Sequence, residues 1–225
     1  RVAKGSHTST GVAVAIIVYE RLCDLFGLLF WCLLGWLIER PQLPGVPSVF
    51  WLFLGALCAV CGALILSGRM AAVVPRILSS VLPFRRLQKL RDLANGWPGL
   101  LQVIRGRRRW IVSFSLLLWL THLVQIWMFS VALSLSIPFV VSASLSAVAL
   151  LAGQLPFTFA GLGTRDVALV LLLSQYTAPE SAAAIGVLIA TRNLLPALAG
   201  LPVMRAYLPS VVGDALRWRE RSKRA

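Results

Sequence analysis

The chain has 225 residues, 58% of them apolar and only 13% charged, a balance that a soluble domain could not keep dispersed in water. Its 22 basic and 8 acidic residues give a net charge of +14, but the cations lie between and after apolar runs rather than on one polar face interleaved with exposed aromatics. Membrane orientation and anionic lipid account for them, and nucleic acid does not. The fold class predicted is all-α, a polytopic membrane helix bundle.

Arg1 to Thr10 is polar and leads straight into a long span, without the pattern of a signal peptide. Because the chain opens on arginine rather than methionine, it is read as a piece lacking earlier helices. The first span, 11–38, carries Tyr19, Glu20, Arg21 and Asp24 within it and is closed by Glu39-Arg40-Pro41. Pro41, Pro44, Gly45 and Pro47 then make a turn. The second span, 48–66, is nearly free of polar groups, and Gly55 and Gly62 suit it for helix packing. Cys23, Cys32, Cys58 and Cys61 all fall inside these two spans. The Cys58-x-x-Cys61 spacing has no second pair or nearby histidine, so the cysteines are read as small packing residues. No metal or other cofactor is expected.

Residues 67–109 differ in kind. Arg69, Arg76, Arg85, Arg86, Lys89, Arg91, Arg105, Arg107, Arg108 and Arg109 stand against one acid, Asp92, with apolar residues at roughly helical spacing. This is a cytoplasmic amphipathic basic loop, its segments lying on the headgroups and broken at Gly96 and Pro98; the plainer alternative is a loop that only obeys the positive-inside rule. The third span, 110–135, encloses Thr121, His122 and Gln125, and Ser136-Ile137-Pro138 turns the chain.

A broken pair follows over 140–176. Val140 to Leu155 and Thr164 to Tyr176 are each short of the roughly 20 residues that cross a bilayer. Between them Pro156, Gly161 and Gly163 interrupt the apolar run, and Arg165-Asp166 follows at once. Irregular backbone survives at membrane depth only where protein or a wet cavity surrounds it, so this turn is expected to face a site. The last span, 181–203, has Arg192-Asn193 at its centre, and residues 204–225 form a basic tail. With the loop 67–109 inside, the start of the chain and the tail are cytoplasmic too, and the protein sits multi-pass in the plasma membrane. The broken pair must then begin and end outside, as a re-entrant hairpin or as two tilted spans.

Helical rise puts Arg192 and Arg165 roughly 16 Å from the outer end, and Glu20 and His122 roughly 14 and 18 Å from the inner end. All four fall near the midplane of a hydrocarbon core about 30 Å thick. Glu20, Asp24 and Asp166 balance Arg21, Arg165 and Arg192, and each charge costs at least ~2.5 kcal/mol near the centre, so they are expected to face inward and pair. Helix glue is one reading of the set. The sharper reading is a substrate site in which Gly161 and Gly163 open backbone amides at a helix N-terminus and Arg165 and Arg192 clamp a phosphate. Glu20, Asp24 and Asp166 neutralise the arginines when the site is empty. His122 is either a hydrogen-bonded core group or a lining residue of the same cavity. No nucleophile triad, P-loop or metal-ligand cluster stands out, so catalysis is not the favoured reading.

Three stretches carry a family resemblance: Glu20-Arg21-x-x-Asp24; Pro156-x-x-x-x-Gly161-x-Gly163-x-Arg165-Asp166; and Ala182 to Arg192, which ends in an intramembrane arginine. In order and spacing they resemble the lysylphosphatidylglycerol synthase transmembrane-region family of flippase-like integral membrane proteins. Asp166 stands where that family usually has glutamate, and Phe159 and Ala160 where a proline and a glycine are common. The resemblance implies movement of an anionic or polyprenyl-linked lipid between leaflets, or service to a glycosyltransferase or lipid-synthase partner. It also leaves open a membrane-embedded lipid-modifying transferase that uses His122 and Asp166.

Overall fold

The computed structural model describes residues 10–40, 48–66, 88–104, 106–154 and 163–200 with breaks at 193 and 197, together with 202 and 204. The turn holding Pro156 and Gly161, the basic residues Arg69 to Arg86, Arg105 and the tail beyond 204 lie outside the described residues. The described residues form seven helices and no strand: α1 (Thr10–Glu39), α2 (Ser48–Leu66), α3 (Gln88–Val103), α4 (Arg108–Ala132), α5 (Phe139–Gly153), α6 (Thr164–Leu173) and α7 (Pro179–Gly200). Four of them, α1, α2, α4 and α7, are long and apolar enough to cross a membrane. The protein is an all-α polytopic membrane protein.

α1 is the hub, packed against α2, α3, α4 and α5. Contacts along its length set the directions of its neighbours. Gly62 faces Phe26 while Trp51 stacks on Trp36 at 5.0 Å, so α2 runs antiparallel to α1. Ser115 reaches Cys23 and Trp119 reaches Asp24, while Leu123 shares a core with Leu28 and Leu29, so α4 runs parallel to it. α5 is antiparallel: the Ser144 hydroxyl donates to the Cys32 carbonyl at 2.9 Å, while a Cβ on Gly35 would lie 3.0 Å from the Val140 carbonyl oxygen and only 2.7 Å from Ser144 Cβ. Such contacts between small residues bring helices together where hydrocarbon offers no hydrophobic drive.

α3 departs from expectation. Gly96 and Pro98 do not break it; the helix runs through both to Val103. Trp97, Leu100 and Leu101 are buried in one cluster with Ala15, Tyr19 and Cys23 of α1. Burying that face outweighs the hydrogen bond lost at Pro98, since packing of an amphipathic face supplies most helical stability in proteins.

The helix ends follow local chemistry. α1 stops at Arg40, whose amide donates to the Trp36 carbonyl at 2.8 Å with φ 44, and Pro41 follows. α4 closes over Ser134 (φ 58), where the Leu135 amide returns to the Ser130 carbonyl at 3.0 Å, a Schellman-type end. Trp127 then donates its indole N–H to the Ile137 carbonyl at 3.1 Å and fixes the entry to α5.

α5 and α6, at 15 and 10 residues, are about 22 and 15 Å long. α6 packs on α5 and runs antiparallel to α7: Asp166 meets Gly186, while Leu169 and Leu173 share a core with Ala182 and Ile185. Down α5 and back up α6, the pair therefore begins and ends at the same end of the bundle.

Candidate functional site

The first turn of α6 builds the site. Gly163, at φ 98, holds a backbone conformation that a side chain would strain, and it caps α6. Its amide donates to Asp166 Oδ2 at 3.3 Å, so the N-terminal donor expected to be open is taken up by the chain's own carboxylate. Acidic residues at the third helical position commonly do this. Oδ1 of the same carboxylate accepts from Arg165, from Nε at 2.9 Å and from Nη2 at 2.7 Å. The Arg165 side chain is only 6% exposed, against 33% for Asp166. Nη2 also lies 3.5 Å from the Gly186 carbonyl oxygen of α7.

Two glycines make this arrangement fit. A Cβ on Gly153 would lie 2.9 Å from Arg165 Cβ, and one on Gly186 would lie 2.9 Å from Asp166 Oδ1. The ion pair is thus wedged where α5, α6 and α7 meet. Arg192, six residues beyond Gly186 and so about 9 Å further along α7, is half-buried. Among the described residues, Arg165 is the cation that Asp166 pairs with, and Arg192 is a second cation further along α7.

A groove of about 620 Å³ runs between α6 and α7. Asp166 is its acidic lining residue; Val170, Ala183, Gly186, Ala190 and Thr191 are among the rest. The Thr191 hydroxyl donates to the Val187 carbonyl at 2.9 Å, so even this polar residue turns inward on its own helix.

The other sequence candidates gather elsewhere. Asp24 Oδ1 accepts the Trp119 indole N–H at 3.3 Å, and Oδ2 lies 3.6 Å from Arg21 Nη1, an i,i+3 ion pair. His122 stacks obliquely on Trp119 with ring centroids 5.4 Å apart, and its Nδ1 lies 2.8 Å from the Leu118 carbonyl oxygen. Glu20 is exposed on α1, one turn before Asp24. The structure therefore brings Arg165, Asp166 and Gly163 together, with Arg192 further along α7, and separately Asp24, His122 and, at its edge, Glu20. Gly161 lies outside the described residues.

α5 stands between the two groups. It has no ionisable residue, and it packs on α1 along one side and on α6 along another. The groups nevertheless share a level. Ser144 is paired with Cys32; nine residues further along α5 is Gly153, and nine residues back along α1 is Cys23. Arg165, seated on Gly153, therefore lies at about the height of Asp24.

Sequence reasoning missed Trp119, Gly27, Gly153 and Gly186. A Cβ on Gly27 would lie 2.5 Å from Trp119 Cδ1, so this glycine seats the indole that reaches Asp24. The signal available was glycine recurring inside otherwise unbroken apolar spans. No group of three or more metal-ligating side chains occurs among the described residues, and the four cysteines are free thiols.

Four membrane-length helices, a hairpin of two shorter ones and ionised groups held inside the bundle define a polytopic membrane protein with a polar interior. The chain belongs to the family described as the lysylphosphatidylglycerol synthase transmembrane region, whose profile matches residues 2–200. It is similar to a UPF0104 membrane protein of Methanocaldococcus jannaschii, with 24% identity over 190 residues, covering 77% of this chain and 55% of that protein. The chain thus spans about half the length of the curated relative it matches. No solved structure matches it.

Proposed function

We propose that this protein binds a lipid with an anionic phosphate-bearing headgroup, an anionic phospholipid or a polyprenyl-phosphate-linked lipid, and moves it between leaflets, with Arg165 and Arg192 as the phosphate contacts. The observation that carries this reading is the buried Arg165–Asp166 pair at the α5–α6–α7 junction, beside an apolar groove and with the half-buried Arg192 as a second cation further along α7. Charges inside a membrane bundle are costly and pair with opposite charge, and a phosphate supplies what Asp166 alone does not. Arginine's planar fork suits phosphate oxygens. The neighbouring apolar groove gives the lipid's hydrocarbon a place beside its headgroup. In this reading the basic stretch 67–109 and the tail face the cytoplasm and draw anionic lipid to the inner leaflet.

A lipid-modifying transferase using His122 and Asp166 on one phosphate is less well supported, because α5 lies between the helices carrying them. Service to a glycosyltransferase or lipid-synthase partner is compatible with lipid binding and differs from it in requiring the basic stretch for co-purification. The test is headgroup exchange in liposomes together with mass spectrometry of lipid retained after gentle purification. Arg165→Ala and Arg192→Ala are each expected to slow exchange about tenfold or more, the consequence of losing one charged hydrogen bond to phosphate. Unchanged exchange and lipid retention in both variants would reject the assignment.

A further inference from the structure

The polar group between α1 and α4 is not used by the phosphate contacts, although it occupies the same level of the bundle. We propose that Asp24 and His122 form a proton-binding site, and that the protein couples lipid movement to a proton. This rests on the lipid-moving reading above and adds a co-substrate to it.

The site is built on one indole that touches both residues. A carbonyl oxygen only accepts, so the 2.8 Å contact between His122 Nδ1 and the Leu118 carbonyl fixes the proton on Nδ1. Nε2 is then the ring atom that gains and loses a proton. Trp119 links the two residues: its ring lies against His122, and its N–H holds Asp24 Oδ1. The second oxygen, Oδ2, lies 3.6 Å from Arg21, whose side chain is 75% exposed, so among the described contacts this oxygen is the less firmly held of the two. Gly27 keeps the indole seated, and Ser115 and Trp31 bond across the same interface at 3.2 and 3.0 Å. A proton arriving on His122 Nε2 passes to the Asp24 carboxylate, leaving neutral imidazole and neutral acid.

Among the described side chains, the charged and titratable surroundings are few. On α1 they are Glu20, Arg21 and Cys23, and on α4 His122 itself. α2 contributes only Cys58 and Cys61, which belong to the core around Cys32; α5 contributes none; from α3, Trp97 faces Tyr19 rather than Asp24. Acid and histidine groups set together inside a membrane bundle mark proton routes in pumps and transporters. Glu20, exposed one turn before Asp24, offers a carboxylate on the way in.

The experiment uses the protein in liposomes loaded with a pH-sensitive dye, with the membrane potential clamped and an imposed pH gradient of either sign. Wild type is expected to exchange headgroups at least fivefold faster with one sign of gradient than with the other, and to move protons when lipid is supplied. Asp24→Asn, which keeps an acceptor for Trp119, and His122→Gln are expected to exchange lipid at the same rate under both gradients, with no proton movement. A wild type blind to the gradient overturns the proposal. So does either variant keeping the wild-type response, or both variants folded yet wholly inactive, since uncoupling alone leaves exchange down a lipid gradient intact. Lipid retention abolished by Arg192→Ala but unaffected by pH gradient in wild type would leave the phosphate site standing and reject the coupling alone.

Discussion

Arg165 and Asp166 are chain neighbours, and two hydrogen bonds from the arginine fork, at 2.9 and 2.7 Å, end on one carboxylate oxygen. The other oxygen caps the helix at Gly163. A single acid therefore both starts α6 and holds a buried cation, and removing it does two kinds of damage. Asp166→Ala is expected to lower stability by about 3 kcal/mol, chiefly by stranding a buried guanidinium. Thermal unfolding in detergent measures this. In a double-mutant cycle, Arg165→Met with Asp166→Ala should cost less than the sum of the two single changes.

Gly153 is where α5 meets Arg165 Cβ, an atom that cannot swing aside without moving α6. Gly153→Ala is expected to destabilise by about 1–3 kcal/mol through overpacking. Gly55→Ala, with nothing within 4 Å of its added methyl, is the matched control and should be neutral or slightly stabilising. Equal melting temperatures for the two variants would show that the close approach is not a constraint.

At Arg192 the comparison is between charge and shape. Arg192→Lys keeps the cation and loses the planar fork, so retained anionic lipid is expected to fall between wild type and Arg192→Ala. Quantitative lipid mass spectrometry on purified protein reads the order. A lysine variant equal to alanine would mean that charge alone contributes nothing there.

Gly27 can be tested by light. Gly27→Ala places a methyl 2.5 Å from Trp119 Cδ1 and must push the indole from its seat, breaking the 3.3 Å bond to Asp24. Trp119 fluorescence, isolated by difference against a Trp119→Phe protein, is expected to shift. Trp119→Phe itself should cost about 1 kcal/mol, the worth of one hydrogen bond.

How much could be read beforehand depended on scale. Apolar run length located α1, α2, α4 and α7, because hydrocarbon thickness imposes a length that sequence must meet. The short pair was visible too, since Gly163 and the charges after it cannot sit in a continuous buried helix. The grouping of the charges was not legible. Depth counts put Glu20, His122, Arg165 and Arg192 at one level, and register agrees for Asp24 and Arg165, but counting along helices says nothing of which helix stands between. α5 separates the groups, and only the contacts of Ser144 and Gly153 reveal it. α3 was misjudged for a related reason: Pro98 is a strong local signal, and burial of Trp97 and Leu100 against α1 is a stronger tertiary one.

The cross-ties described above are unevenly shared among the helices. Ser115, Trp119 and Trp31 stitch α4 to α1, Ser144 stitches α5 to α1, and Trp127 clamps the corner before α5. Arg165 meets α5 through bare carbon contact at Gly153, whereas toward α7 it reaches a carbonyl. Any tilt of α6 would thus tend to carry α7 with it, with Gly153 as a smooth bearing against the stitched chassis of α1, α4 and α5.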